Sequence, residues 1–170
     1  VVVADIRPLS EYAAGHIPGA RFFDIEEISD ARSALPHMVP PVEKFMSRLR
    51  AMGVGDGHQV VVYDTHGLFS AARVWWLFRL MGQENVAVLD GGLQGWQAEG
   101  GEVTDREEPA RFQSNFVAGE PLVRLVTTDT VVRRLGQPDQ NLIDARAGAR
   151  YRGEVEPLDP IAGHIPGALN

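Results

Sequence analysis

The amino-acid sequence predicts an α/β domain with a mainly parallel sheet flanked by helices, followed by the beginning of a second, similar domain. Short, continuously apolar runs at residues 1–4, 60–63 and 86–89 alternate with stretches of helical spacing. That alternation is the pattern of parallel strands buried on both faces. The hexapeptide GHIPGA occurs twice, at 15–20 and 163–168, and each copy follows an apolar run ending in Asp-X-Arg, Asp5 to Arg7 and Asp144 to Arg146. A six-residue identity in matching context marks an internal repeat.

Each element follows from local chemistry. Residues 1–4 are apolar and β-branched, and Asp5, Ile6 and Arg7 then carry the chain to a charged rim. Helical character over 9–14 gives way to a turn punctuated by Gly15, Pro18 and Gly19, and then to a short strand over 21–24. One helical turn is expected at 25–28, and Pro36, Pro40 and Pro41 keep the following stretch irregular. Phe45, Met46, Leu49 and Met52 fall near helical spacing and Gly53 closes them, which predicts a helix over 42–52. The strand at 60–63 runs into a loop over 65–70 and a helix over 71–81, apolar on all sides and stopped by Gly82. A strand at 86–89 passes through Asp90, Gly91 and Gly92 into a small helix over 93–98. From Gly100 to about Pro121 the pattern dissolves into polar and charged residues. The first domain is therefore set at 1–112, a linker at 113–124 and the start of the second domain at 125–170, with a helix over about 128–135 and a strand over 141–143.

Composition narrows the function. The 170 residues are 44% hydrophobic and 23% charged with a formal net charge of −7, which argues against a nucleic-acid surface. An anionic ligand would need local arginines to overcome the global field. No apolar run approaches the ~18–20 residues that cross a bilayer. The chain opens on Val1 rather than Met, which leaves room for a targeting segment ahead of it. There is no cysteine, so these residues contain no disulfide, thiolate metal site or thiol nucleophile.

The junction after residues 60–63 is where chemistry is expected. The strand delivers Asp64 to the rim of the sheet, and the first amides of the next helix lack intrahelical partners and can face an anion. With no thiol present, the Asp64 carboxylate is read as the acceptor for those amides. His66 has no second base or metal-spaced partner nearby and reads as a solvent-facing loop residue. His16 and His164 recur in the repeat and read as turn-stabilising. Trp75 and Trp76 suit core and interface packing, and Arg73 and Arg79 suit pairs between domains. Arg146 and Arg150 differ, because they follow the carboxyl end of a strand, where parallel sheets bind ligands. Asp144 is placed to orient backbone or an arginine.

Taken together, these residues resemble the tandem rhodanese-like sulfurtransferases, the thiosulfate and 3-mercaptopyruvate sulfurtransferase family. The resemblance rests on GHIPGA with its following FFD, on SALPHMVP, VVVYDTHGLFSAARVWWLFRLMG, VAVLDGGLQGW, and LIDARAGARYRG leading to the second GHIPGA. It implies two rhodanese-like domains, the first catalytically silent and the second carrying the cysteine that accepts sulfur as a persulfide. Asp64 stands where the silent domain commonly replaces that cysteine, which makes Asp64, Thr65, His66, Gly67, Leu68, Phe69 and Ser70 a degenerate active-site loop. The resemblance assigns Arg146 and Arg150 to a small anionic sulfur donor, with Asp144 supporting. Mercaptopyruvate enzymes often carry a further arginine before the second GHIPGA, where this chain has Glu156-Pro157-Leu158-Asp159-Pro160, so the donor stays open.

Asp64 lies 49 residues after Gly15. The same offset from Gly163 puts the working nucleophile near position ~212, beyond Asn170. The expected protein is a cytoplasmic sulfurtransferase that passes sulfane sulfur from thiosulfate or 3-mercaptopyruvate to a thiol or cyanide, without cofactor or metal, nucleic acid or membrane. Residues 1–170 alone are expected to be inactive. A non-catalytic rhodanese-like binding or regulatory module is the alternative. A cysteine phosphatase on a related fold ranks lower, because its loop needs a final arginine where this chain has Ser70.

Overall fold

The computed structural model describes residues 1–65 and 69–170, in two compact units, Val1–Arg124 and Leu125–Asn170. The first unit contains β1 (Val2–Asp5), α1 (Leu9–Ala14), β2 (Arg21–Phe22), α2 (Val42–Ala51), β3 (Val60–Tyr63), α3 (Ala71–Leu80), β4 (Val86–Val88) and α4 (Gly92–Ala98). The second contains α5 (Thr128–Arg134) and α6 (Gly148–Tyr151).

The four strands form one parallel sheet in the order β2-β1-β3-β4, with Asp5 opposite both Phe22 and Tyr63. Alternation along the strands sends side chains to both faces. On one face Ala4, Val60 and Val62 meet Phe45 and Leu49 of α2 and Val74, Leu77 and Phe78 of α3. On the other, Tyr63 packs with Ile17, Ala20 and Leu93. Phe45, Phe78 and Phe116 form a triangle of edge-on rings with centroids 5.4 to 6.2 Å apart, a favoured aromatic arrangement.

The segment expected as a linker, 113–124, is instead strapped along the first unit. Ser114 N donates to Arg50 O, Arg50 Nε to Phe116 O, Gly119 N to Met81 O and Leu122 N to Arg79 O, all at 2.8 to 3.1 Å. Phe116 is 1% exposed. The polar sequence around this one anchoring ring hides the strap from any periodicity. Gly82 is required where the strap passes. Its φ is +82°, and a Cβ there would lie 2.6 Å from the Gly119 backbone.

The strand expected at 141–143 reduces to a single parallel bridge, Ile143 opposite Leu169. It is the counterpart of the pairing between Ala4 and Arg21 that opens β1 and β2. The short strand expected over 21–24 ends at Phe22, because the chain turns at Asp24, whose Oδ1 accepts from Glu26 N and Glu27 N. Helix α5 is capped by Thr127, whose side chain accepts from Thr130 N at 3.3 Å, a common N-cap device. No helix among the described residues is long and apolar enough to cross a membrane.

Candidate functional site

Strand β3 is almost wholly buried and carries Asp64 to the sheet rim, where the side chain is 4% exposed. Its Oδ2 accepts three amides at the start of α3, Phe69 N at 2.8 Å, Ser70 N at 2.8 Å and Ala71 N at 3.0 Å. These are orphan donors of a helix N-terminus converging on one oxygen, a cradle for negative charge. Thr65 Oγ1 donates to Glu11 Oε2 at 2.9 Å, Phe69 projects outward, and Ser70 is the N-cap of α3 without a side-chain cap bond. His66, Gly67 and Leu68 lie outside the described residues.

Beside this loop a buried network closes the first GHIPGA turn. The Arg7 guanidinium bonds Asp5 through Nε (3.0 and 3.2 Å) and Nη2 (2.6 Å), and the same Nη2 reaches Gly15 O at 2.6 Å. Burial works against the charged guanidinium, yet the bonds to Asp5 prevail and raise the Arg7 pKa. Tyr63 donates its hydroxyl to Asp5 at 2.5 Å; burial, reinforced by that bond, pushes its pKa up. The His16 ring stacks on Tyr12 at 3.9 Å, with Nδ1 2.8 Å from Tyr12 O, and the Tyr12 hydroxyl reaches Ala20 O.

The second unit repeats this network. Arg146 meets Asp144 through Nε (3.0 and 3.2 Å) and Nη2 (2.6 Å), and Nη2 reaches Gly163 O at 2.5 Å. His164 stacks on Tyr151 at 3.9 Å with Nδ1 2.7 Å from Tyr151 O, and the Tyr151 hydroxyl reaches Ala168 O. Tyr12 and Tyr151 are therefore structural equivalents. The repeat thus extends beyond GHIPGA and Asp-X-Arg to a tyrosine that the sequence leaves unmarked, because a single tyrosine carries no periodic signal.

That equivalence confines the extra length of the second copy to the stretch between Tyr151 and Gly163. It also aligns Arg150 with Glu11, each four residues after the network arginine. In the first unit Glu11 Oε2 lies 3.9 Å from Arg7 Nη1. In the second, Arg150 is the cation, and the carboxylate comes from Glu156 in the added stretch. Glu156 accepts from Arg150 Nε and Nη2 at 2.6 to 3.2 Å, from Arg146 Nη1 at 3.2 Å, and from Leu158 N and Asp159 N at 3.1 Å. Asp159 Oδ2 reaches Arg150 Nη2 at 3.0 Å and lies 3.7 Å from Arg146 Nη1.

The electrostatics follow from these contacts. Bonds from the Arg146 side chain and amide hold Asp144 down to about 2, and bonds from Arg150 and the Asp159 amide do the same for Glu156. Arg146 is raised by its bond to Asp144. A cleft of about 550 Å³ in this unit has Asp144, Arg146 and Asp159 in its wall, with Ile143, Ile161 and His164. The sequence-predicted Asp144, Arg146 and Arg150 are thus brought together, around two carboxylates that sequence reasoning did not single out as site residues.

A parallel sheet with helices on both faces, and a strand leading into an amide cradle filled by its own carboxylate, define a small α/β domain class. The chain belongs to the rhodanese-like domain family, whose model matches residues 1–99. It is 43% identical over 169 residues to the 3-mercaptopyruvate sulfurtransferase of Escherichia coli, covering 94% of this chain and 57% of that protein. Over 183 residues it is 39% identical to the thiosulfate/3-mercaptopyruvate sulfurtransferase 1, mitochondrial, of Arabidopsis thaliana, covering 95% and 48%. The crystal structure of the 3-mercaptopyruvate sulfotransferase SseA from Escherichia coli superposes with a TM-score of 0.84 at 39% identity, over 99% of this chain and 68% of that one. The chain spans about half the length of the curated relatives it matches.

Proposed function

We propose that the whole protein is a sulfurtransferase that takes sulfane sulfur from a small anionic donor, thiosulfate or 3-mercaptopyruvate, and passes it to a thiol or cyanide. The observation that carries this reading is Arg150, a cation on a rigid carboxylate mount that replaces the carboxylate of Glu11. The relatives' names supply the chemistry.

In this reading a cysteine thiolate beyond Asn170 attacks the donor's outer sulfur. With thiosulfate the S–S bond breaks and sulfite leaves with the electron pair; with 3-mercaptopyruvate the C–S bond breaks and the carbon fragment leaves as the pyruvate enolate, which takes a proton. Cyanide or a thiolate then attacks the persulfide sulfur and returns the cysteine thiolate. Arg150 anchors the sulfite or carboxylate end through charge-assisted hydrogen bonds. Arg146 repeats a bonding pattern that Arg7 makes in a unit without a nucleophile, and so serves to brace the turn and Glu156. Asp64, with the loop 64–70, is the silent counterpart of the nucleophile. A carboxylate is a poor sulfur acceptor, and here its Oδ2 is committed to three amides.

A reduced compartment such as the cytoplasm suits thiol chemistry, and no nucleic acid or membrane enters the reaction. The test is turnover of the full-length protein with each donor and cyanide, followed as thiocyanate. No turnover with either donor would sink the reading and favour a binding module. Residues 1–170 alone should give none.

A further inference from the structure

Resting on that reading, we propose that Asp159 sets donor selectivity by charge, disfavouring doubly charged thiosulfate relative to singly charged 3-mercaptopyruvate. The two acids on Arg150 are not equivalent. Glu156 has a side chain 5% exposed and accepts two backbone amides and both arginines, so it is a fixed part of the mount. Asp159 is 55% exposed, and the only side chains its carboxylate meets among the described residues are the two arginines. It is the group an incoming anion can displace from Arg150 Nη2.

The local charge then decides which anion enters most easily. Arg146 and Arg150 bring two positive charges, while Asp144, Glu156 and Asp159 bring three negative ones. Coulomb repulsion scales with the charge of the arriving group, so a displaced but nearby Asp159 opposes a dianion about twice as strongly as a monoanion. Asp159 belongs to the stretch between Tyr151 and Gly163 that the first unit does not share, whereas Asp144 has its equivalent in Asp5. Selectivity is thereby carried by the variable part of the repeat.

The experiment uses the full-length protein and measures kcat and KM for both donors at low and high salt, for the wild type, Asp159→Asn, Asp159→Ser and Asp159→Glu. Both neutral variants should lower KM for thiosulfate by roughly tenfold and for 3-mercaptopyruvate by roughly threefold, the scale of a partly exposed ion pair acting on two charges and on one. The difference should shrink at high salt, and Asp159→Glu should keep the wild-type ratio of kcat/KM between donors. Equal changes for the two donors, no change, or a shift with Asp159→Glu as large as with Asp159→Asn would overturn the proposal. A wild-type protein that turns over neither donor would instead remove the sulfurtransferase reading beneath it.

Discussion

Glu11 and Arg150 hold the same position in two copies of one network, and their charges are opposite. Each stands four residues after an arginine that grips its aspartate through contacts of 3.0, 3.2 and 2.6 Å. Each immediately precedes a tyrosine stacked on the histidine of GHIPGA. The framework is held constant and the charge at this position is inverted, which is why Arg150 rather than Arg146 is the proposed anchor of the donor.

Replacing Arg150 tests that assignment directly. In the full-length protein Arg150→Ala should raise KM for both donors by roughly ten- to a hundredfold, and Arg150→Lys should recover only part of it. Lysine offers a point charge and cannot hold Glu156 and a donor through one planar fork. Steady-state kinetics decide this, and full rescue by lysine would show that charge alone suffices.

Asp64→Ala leaves the amides of Phe69, Ser70 and Ala71 facing no carboxylate. Removing the partner of buried donors costs about 1–3 kcal/mol, so denaturant unfolding of the first unit should shift by that amount. Asp64→Asn, which keeps an acceptor oxygen, should cost less.

Phe116→Ala distinguishes a strap from a connector. A fully buried phenylalanine cut to alanine costs about 3–5 kcal/mol, whereas a substitution in a free linker stays within about 0.5 kcal/mol. Thermal or denaturant unfolding should give the larger figure, because the ring meets Phe45 and Phe78.

Acid should weaken the second unit. Asp144 falls from an ordinary 3.8, and Glu156 from an ordinary 4.5, to about 2 when folded. A depressed folded pKa contributes stability that is complete above the unfolded value and lost as pH falls through the folded one. The loss should therefore run from about pH 4.5 down to about pH 2, and Asp144→Asn should flatten that dependence. Backbone amide NMR of residues 125–170 across this window reads the change.

Much of the sheet is legible in the sequence, since residues 1–4, 60–63 and 86–89 are short apolar runs of the kind parallel strands carry, and β3 is the one buried almost throughout. The strap is not, because Phe116 is its only fully buried anchor amid polar neighbours, and its remaining ties are scattered backbone and side-chain hydrogen bonds, such as those of Arg50 Nε and Ser114 Oγ, that leave no periodic trace. Arg146 and Arg150 stand out from the sequence as a pair, and only the folded network shows that Arg146 repeats the contacts of Arg7 while Arg150 does not. Glu156 and Asp159 were open to reading as ordinary acids of a loop, because carboxylate partnership depends on where the chain folds back rather than on spacing.

The doubled network gives the protein an internal control. Any change made at Asp144, Arg146 or His164 has a twin at Asp5, Arg7 or His16 in the first unit. The twin substitution reports what the change costs the scaffold, and subtracting it from the effect at the second site leaves the share particular to the second unit. Both measurements come from one molecule and one sample.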